Sequence, residues 1–108
     1  MRQLPRKLVI LSQDVPITRV HSLEHEGQDC YGMFDPDESC IHLTDGQGRE
    51  RIRNTLLHES LHAMLEIGWL ARSLEHDDEE RIVANLAPVL LAFIRQNPAV
   101  VAYLQEKA

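Results

Sequence analysis

The sequence lacks an excess of positive charge, a long apolar run and internal repeats. Its net charge of −6 at pH 7 argues against a general nucleic-acid-binding role. A bilayer-spanning helix needs about 20 apolar residues, and the sequence has no run of that length. The apolar run after the basic N-terminus covers only residues 8–11, which is too short for a signal peptide. These shortages predict a cytoplasmic protein with neither nucleic acid nor a membrane as a partner.

Cysteine is scarce as well, with Cys30 and Cys40 as the two thiols of the chain. Their spacing is not the Cys-x-x-Cys pattern of a zinc knuckle. Because a cytoplasmic protein keeps its thiols reduced, we expect two free cysteines on neighbouring strands. Neither is assigned a role in catalysis or metal binding.

The first half of the chain carries short runs of branched and apolar residues separated by turn-forming residues. Four such runs are predicted strands, and Asp35 and Pro36 mark the turn between the last two. The predicted strands are residues 7–11, 15–20, 30–34 and 39–43. We therefore expect a small antiparallel sheet of three or four strands.

The second half has the apolar periodicity of helices, predicted over residues 49–66, 79–95 and 98–107. Asp77 or Asp78 is the expected N-cap of the second helix, and Pro88 is expected to kink or split it. Trp69 and Tyr103 are expected in the core. With 108 residues and 44% apolar content, the chain predicts a single α+β domain covering residues 1–108.

The first predicted helix contains the motif His-Glu-x-x-His, formed by His58, Glu59 and His62. A spacing of four residues places the two imidazoles one turn apart on the same helix face, where both can bind one Zn²⁺. Glu59 lies about 100° round the helix from His58, so its carboxylate can reach a metal-bound water. Two histidines and a glutamate in a mostly apolar helix are costly unless something satisfies them. The motif therefore predicts two metal ligands and a general base.

A catalytic zinc site usually holds three protein ligands, so the third has to come from outside the motif. The second predicted helix begins with acidic residues, and its apolar stripe should pack its first turn near the metal helix. Glu79 and Glu80 both lie at the edge of that stripe, and periodicity does not choose between them. His76 is the remaining alternative, which would complete a site of three histidines.

The motif followed by residues 80–91 resembles the small zincin-like metallopeptidases of phages and prophages. It is similar, more distantly, to the ImmA/IrrE group of metallopeptidases. The second helix of those proteins follows the pattern E-x-x-[AV]-x-x-[FL]-A-x-x-L, which is matched here by Glu80, Val83, Leu86, Ala87 and Leu90. This resemblance implies a minimal zincin-like fold with Glu80 as the third zinc ligand. It also implies hydrolysis of a peptide or protein substrate.

The expected mechanism is hydrolysis by water that zinc activates, with Glu59 as the general base. An extended substrate is expected to pair with the sheet edge beside the metal helix, for which residues 39–43 are the candidate strand. His76, Tyr103 and Arg81 are candidates for stabilising the oxyanion, and the sequence does not choose among them. Glu66, four residues after His62, is a candidate hydrogen-bond acceptor for an imidazole.

Two alternatives to this peptidase remain open at the level of sequence. A phage-type domain could bind the metal as a structural clip or act as a non-catalytic interaction module, in which case Glu59 would be dispensable. A protease similar to the SprT group would use His76 as the third ligand and act near DNA. The acidic charge and the absence of a zinc ribbon argue against the second alternative. Zinc is the metal expected for two histidines and one glutamate, and the substrate and oligomeric state stay open.

Overall fold

The computed structural model describes residues 2–107, which form a sheet followed by three α-helices. This arrangement confirms the α+β class and the order of the elements. The strands are β1 (Lys7–Ile10), β2 (Gln13–Val20), β3 (Glu24–His25), β4 (Gln28–Asp29), β5 (Gly32–Asp35) and β6 (Cys40–Thr44). The helices are α1 (Arg49–Ile67), α2 (His76–Gln96) and α3 (Pro98–Gln105), and a 3₁₀ turn at Leu70–Ser73 connects α1 to α2.

The main sheet has four strands in the order β1-β2-β6-β5. Its central pair is parallel, so the prediction of an antiparallel sheet is wrong for this pair. The outer pairs, β1–β2 and β5–β6, are antiparallel as expected. A parallel pair needs a long connection, which here consists of residues 21–39 and includes the small β3–β4 hairpin. This topology makes β5 an edge strand and β6 an inner one. The prediction that residues 39–43 form the free edge is therefore wrong.

The main hydrophobic core lies between the sheet and α1. Alternate residues of β2 point into it, with Val15 fully buried and Ile17 8% exposed. Ile41 and Leu43 of β6 and Ala63 of α1 are also fully buried. Both cysteines are free, as predicted, and Cys40 is buried in β6.

A second, smaller core joins α1 to α2. It consists of Leu61 from α1 and of Val83 and Ala87 from α2. The stripe of α2 that α1 covers is narrower than the sequence pattern indicates, because Ile82 and Leu86 are each 43% exposed.

The beginning of α2 differs from the prediction, and of the two alternatives for Pro88 the split helix is wrong. The helix begins at His76 with Glu75 as its N-cap, so the predicted cap at Asp77 or Asp78 is wrong. Those two aspartates lie in the first turn, where their negative charge interacts favourably with the helix dipole. Pro88 does not split the helix, since its ring lies on an exposed side where water can reach the carbonyl that loses its partner.

Helix α3 follows α2 at an angle of 93°, and α2 is the described helix or strand against which it chiefly packs. Within residues 2–107 no single helix is long and apolar enough to cross a membrane, although α2 and α3 together meet that test as a bent pair. Tyr103 of α3 is 75% exposed and Trp69 is 62% exposed, so the prediction that both lie in the core is wrong. Trp69 instead stacks against the guanidinium group of Arg72, 3.7 Å from the ring centre.

At Gly32 the strand β5 is in close contact with α1. A Cβ at this position would lie 2.7 Å from Cγ2 of Thr55 and 3.2 Å from Cγ of Glu59. We expect Gly32→Ala to lower the free energy of unfolding by about 1–3 kcal/mol, because strand and helix must move apart. Chemical denaturation of the variant and the wild type measures this change.

Gly48→Ala is the matched control for this substitution. A Cβ there would meet no atom within 4 Å, and the backbone of Gly48 is already extended. Its expected cost is therefore limited to the N-cap preference of α1, below about 1 kcal/mol. Equal losses in the two variants would contradict the close approach of β5 to α1.

Candidate metal centre

The two histidines of the motif lie side by side on α1 and face the beginning of α2. Their ring centroids are 5.1 Å apart, as the spacing of one helical turn requires. The side chains of His58 and His62 are 24% and 13% exposed, so solvent reaches both only in part. The sequence folds this way because Leu61 and its neighbours on the same side of α1 pack against Val83 and Ala87 of α2.

The carboxylate of Glu80 lies between the two imidazoles and contacts both. One of its oxygens is 3.0 Å from Nε2 of His58, and the other is 3.1 Å from Nε2 of His62. The three ligand atoms of this group lie within 4.8 Å of one another. The structure therefore brings together the three side chains predicted as metal ligands.

These separations can be compared with what a zinc ion requires. Ligand atoms at about 2.0–2.1 Å from a tetrahedral ion are about 3.3 Å from each other. The observed distances of 3.0 and 3.1 Å, which involve different oxygens of Glu80, are close to this value, and the three ligand atoms lie within 4.8 Å of one another. Two imidazole nitrogens and a carboxylate oxygen are also ligands that zinc accepts. The residues present thus fit the ion.

The carboxylate of Glu79 contacts Nδ1, the other ring nitrogen of His62. Its Oε2 lies 2.6 Å from Nδ1 of His62, and the glutamate side chain is only 18% exposed. A carboxylate at this position fixes the tautomer of the imidazole, so that Nδ1 carries the proton and Nε2 is free to bind a metal. The orienting role that the sequence offered to Glu66 therefore falls to Glu79. The two adjacent glutamates hold different nitrogens of one histidine.

Glu59 is 8% exposed and lies under the edge of the sheet. Its Oε1 accepts a hydrogen bond from the backbone N–H of Phe34 at 3.0 Å. Burial raises the pKa of the Glu59 carboxyl, whereas the neighbouring His58, His62 and the Phe34 N–H act in the opposite direction. The carboxylate is thereby held at a fixed place beside the histidines.

An open cleft of about 1570 Å³ runs between β5 and the two long helices, and its lining includes His58, Glu59, His62 and Glu80. The N–H of Thr44 donates to the carbonyl of Tyr31 at 2.9 Å, which fixes the pairing of β5 with β6. In the alternating antiparallel pattern, Gly32 and Phe34 then turn their backbone groups away from β6 and towards the cleft. The outer strand of the sheet beside α1 is therefore β5.

The other predicted site residues lie at various distances from this centre. His76, the first residue of α2, lines the cleft but does not belong to the ligand group. Arg81 pairs with Asp78 at 2.6 Å, and Tyr103 lies on α3; neither lines the cleft. His76 therefore remains the oxyanion candidate whose position is compatible with that role.

Sequence reasoning missed the contact between the Phe34 N–H and Glu59, since a backbone donor has no residue-type signal. A further group of possible metal ligands, formed by Asp35, Glu38 and His42, was not foreseen either. Two of its members already have protein partners. Asp35 accepts two backbone hydrogen bonds in its own turn, and Nδ1 of His42 lies 2.7 Å from Oγ1 of Thr18.

Comparison of the chain with models of known protein families, with curated proteins and with solved structures gave no match. Any statement on function therefore depends on the chemistry of the side chains gathered in the cleft.

Proposed function

We propose that this protein is a zinc-dependent peptidase that hydrolyses a peptide bond in the cleft between β5 and the helices α1 and α2. The observation that carries the proposal is the position of the Glu80 carboxylate, within 3.1 Å of Nε2 of both histidines. Glu59 stands beside this group in the same cleft. The resemblance of residues 58–62 and 80–91 to small phage metallopeptidases points to the same activity.

His58, His62 and Glu80 would hold the zinc ion, and Glu79 would orient His62. When bound, zinc supplies a Lewis acid and lowers the pKa of a coordinated water to about 7. Two imidazoles and one carboxylate leave a fourth position open, which is typical of catalytic rather than structural zinc sites.

Glu59 acts as the general base in this proposal. Its carboxylate accepts a proton from the attacking water and delivers it to the nitrogen of the leaving amine. The hydrogen bond from the Phe34 N–H occupies Oε1, so that Oε2 is the oxygen that carries the proton. Burial at 8% exposure keeps the carboxylate from rotating freely into solvent.

The substrate would bind as an extended strand along β5, which replaces the strand that the sequence indicated. The backbone N–H and carbonyl of Gly32 and the carbonyl of Phe34 face this edge, whereas the N–H of Phe34 is bonded to Glu59. Hydrogen bonds to the main chain can form with substrates of many different side-chain sequences. The absence of a side chain at Gly32 lets β5 lie close to Glu59, since a Cβ there would be only 3.2 Å from Cγ of Glu59. A peptide or an unfolded protein segment is the class of substrate that such an edge accepts.

The test of this function combines metal analysis with a peptidase assay. We expect the purified wild type to contain one zinc ion per chain and to cleave an unstructured protein such as casein, with fragments identified by mass spectrometry. A chelator should abolish cleavage, and added zinc should restore it. A metal-free protein, or cleavage that survives the chelator, would contradict the proposal.

Glu79→Gln is expected to weaken zinc binding by about 10–100-fold, because the hydrogen bond that orients His62 loses its charge. Competition with a coloured zinc chelator measures the affinity. Glu75→Gln is the matched control, since Glu75 precedes the same helix and, within residues 2–107, forms no hydrogen bond or ion pair with the histidines. Equal affinities in Glu79→Gln and the wild type would show that Glu79 does not orient the ligand.

Two other roles, a non-catalytic metal clip and a SprT-like protease, are less well supported than a peptidase. A non-catalytic metal clip would use the same three ligands. It differs from a peptidase in that it does not need Glu59 as a general base. A SprT-like site with His76 as ligand is disfavoured, because Glu80 and not His76 completes the ligand group. The cytoplasmic location and the phage association remain predictions from the sequence.

A further inference from the structure

Helix α2 exposes an apolar stripe that no other described part of the chain covers. Ile82, Leu86, Val89 and Phe93 are 43%, 43%, 65% and 42% exposed. Their spacings of four, three and four residues place them on one face of the helix. This face differs from the one that Val83 and Ala87 bury against α1, and none of the four residues lines the cleft. The stripe is thus separate from the candidate metal centre.

Helix α3, which follows α2 at a bend of 93°, also exposes apolar residues. Val100, Tyr103 and Leu104 are 43%, 75% and 69% exposed, at spacings that again share one helix face. A helix of eight residues is marginal in water unless tertiary packing stabilises it, and α3 packs chiefly on α2. The geometry of α3 therefore calls for a second packing partner.

The surface carries almost no charge. Residues 85–94 and 98–105 contain no charged residue, and Arg95 between them makes a bidentate pair with Glu50 at 2.6 and 2.9 Å. Binding to an anionic membrane requires basic residues around the apolar face, and this chain of net charge −6 does not supply them there. A protein surface that is itself apolar and uncharged is the complementary partner.

We propose that the α2–α3 surface, defined here as Ile82, Leu86, Val89, Phe93, Val100, Tyr103 and Leu104, binds a second copy of this chain in a two-fold symmetric dimer. With about 200 Å² for each fully exposed residue, their exposed fractions amount to at most roughly 750 Å² per chain, most of it apolar. A stable interface buries about 800 Å² on each partner, so this surface alone nearly meets the requirement.

A two-fold dimer requires a surface that complements itself, and this one has both a projection and a recess. Tyr103 and Leu104 project from α3 with at least two thirds of their surface exposed. A shallow groove beside the α2–α3 junction is lined by Val89, Phe93 and their neighbours on α2. The α3 of one protomer can therefore pack into the groove of its partner, while the reverse contact forms at the same time. The bend of 93° presents α3 for such an exchange.

The test is the mass of the zinc-loaded protein in solution, measured by sedimentation velocity from roughly 1 to 100 µM. The wild type is expected at twice 12.4 kDa over most of this range. Leu104→Glu and Val89→Glu are each expected to raise the dimer dissociation constant by about thirty-fold or more, since each places a charge within the buried interface. Both residues are exposed in the single chain, so the protomer should keep its circular dichroism spectrum and its zinc content.

Gln105→Glu is the matched control. It adds the same charge to the same helix next to Leu104 but outside the α2–α3 surface, and it should leave the dimer intact. A wild type of 12.4 kDa at the highest concentration would overturn the proposal, as would a Leu104→Glu variant that dimerises like the wild type. A monomeric wild type that sediments with phosphatidylcholine vesicles would replace the dimer with a lipid surface. These readouts are independent of peptidase activity.

Discussion

Replacing Glu59 with glutamine is expected to reduce peptide hydrolysis by about 10²–10⁴-fold while the protein still binds one zinc ion. The substitution preserves the size of the side chain and leaves an amide oxygen that can accept the hydrogen bond from the Phe34 N–H. What it removes is the oxygen that takes up a proton. The ligand group of His58, His62 and Glu80 does not include Glu59, so metal affinity should not change appreciably.

The measurement is kcat/KM for a fluorogenic peptide, together with zinc content and the unfolding temperature of each variant. Glu66→Gln is the matched control, because Glu66 lies on the same helix and in the same cleft but does not bond to either imidazole in the described part of the chain. It should keep most of the activity. A Glu59→Gln enzyme as active as the wild type would eliminate Glu59 as the general base.

The same variant separates a peptidase from a structural clip. In a clip, Glu59 would be a buried carboxylate without a task, held in a region where burial disfavours its charged form. Glutamine should then be neutral or stabilising, and no activity would exist to lose. In a peptidase, the proton transfer requires the carboxylate of Glu59, although burying this group lowers the stability of the protein. A loss of activity without a loss of stability would therefore identify the role of this residue.

Much of the fold could be predicted because its signals are local. The spacing of His58 and His62 and the apolar stripe around Leu61 indicate α1, and the alternation at Val15 and Ile17 indicates β2. The parallel pairing of β2 with β6 could not be predicted, since it depends on how residues 21–39 cross the sheet. Strand order, and with it the identity of the free edge, is a long-range property that short patterns do not contain.

The candidate site could likewise be predicted only where its signals are local in the sequence. The residue types and the four-residue spacing predicted the two histidines and Glu59, but periodicity could not assign the roles of Glu79 and Glu80. Their assignment depends on how far α2 is rotated about its axis against α1, which the packing of Val83 and Ala87 on Leu61 determines. The same rotation leaves Ile82 and Leu86 outside the core. The apolar stripe in the sequence of this helix is wider than the surface that α1 covers; it consists of Ile82, Val83, Leu86, Ala87, Leu90 and Ile94.

Because the two glutamates are adjacent and identical in type, they allow a sharp test of the ligand set. Glu80→Gln is expected to weaken zinc binding by about 10²–10³-fold, since sharing about 10–16 kcal/mol among four ligands assigns about 2.5–4 kcal/mol to each. Glu79→Gln, which removes only the partner of Nδ1, should lose less. The contrast follows from which nitrogen of His62 each carboxylate contacts.

Affinity alone does not identify a ligand, and cobalt substitution supplies the second measurement. The visible absorption of Co²⁺ depends on the number and type of its ligands. The Glu80→Gln protein should therefore change the position and intensity of these bands, whereas the Glu79→Gln protein should retain the wild-type spectrum at saturating metal. If Glu79→Gln altered the bands and Glu80→Gln did not, the roles of the two glutamates would have to be exchanged. Since one of the two oxygens of Glu80 lies near each histidine, the structure favours the first outcome.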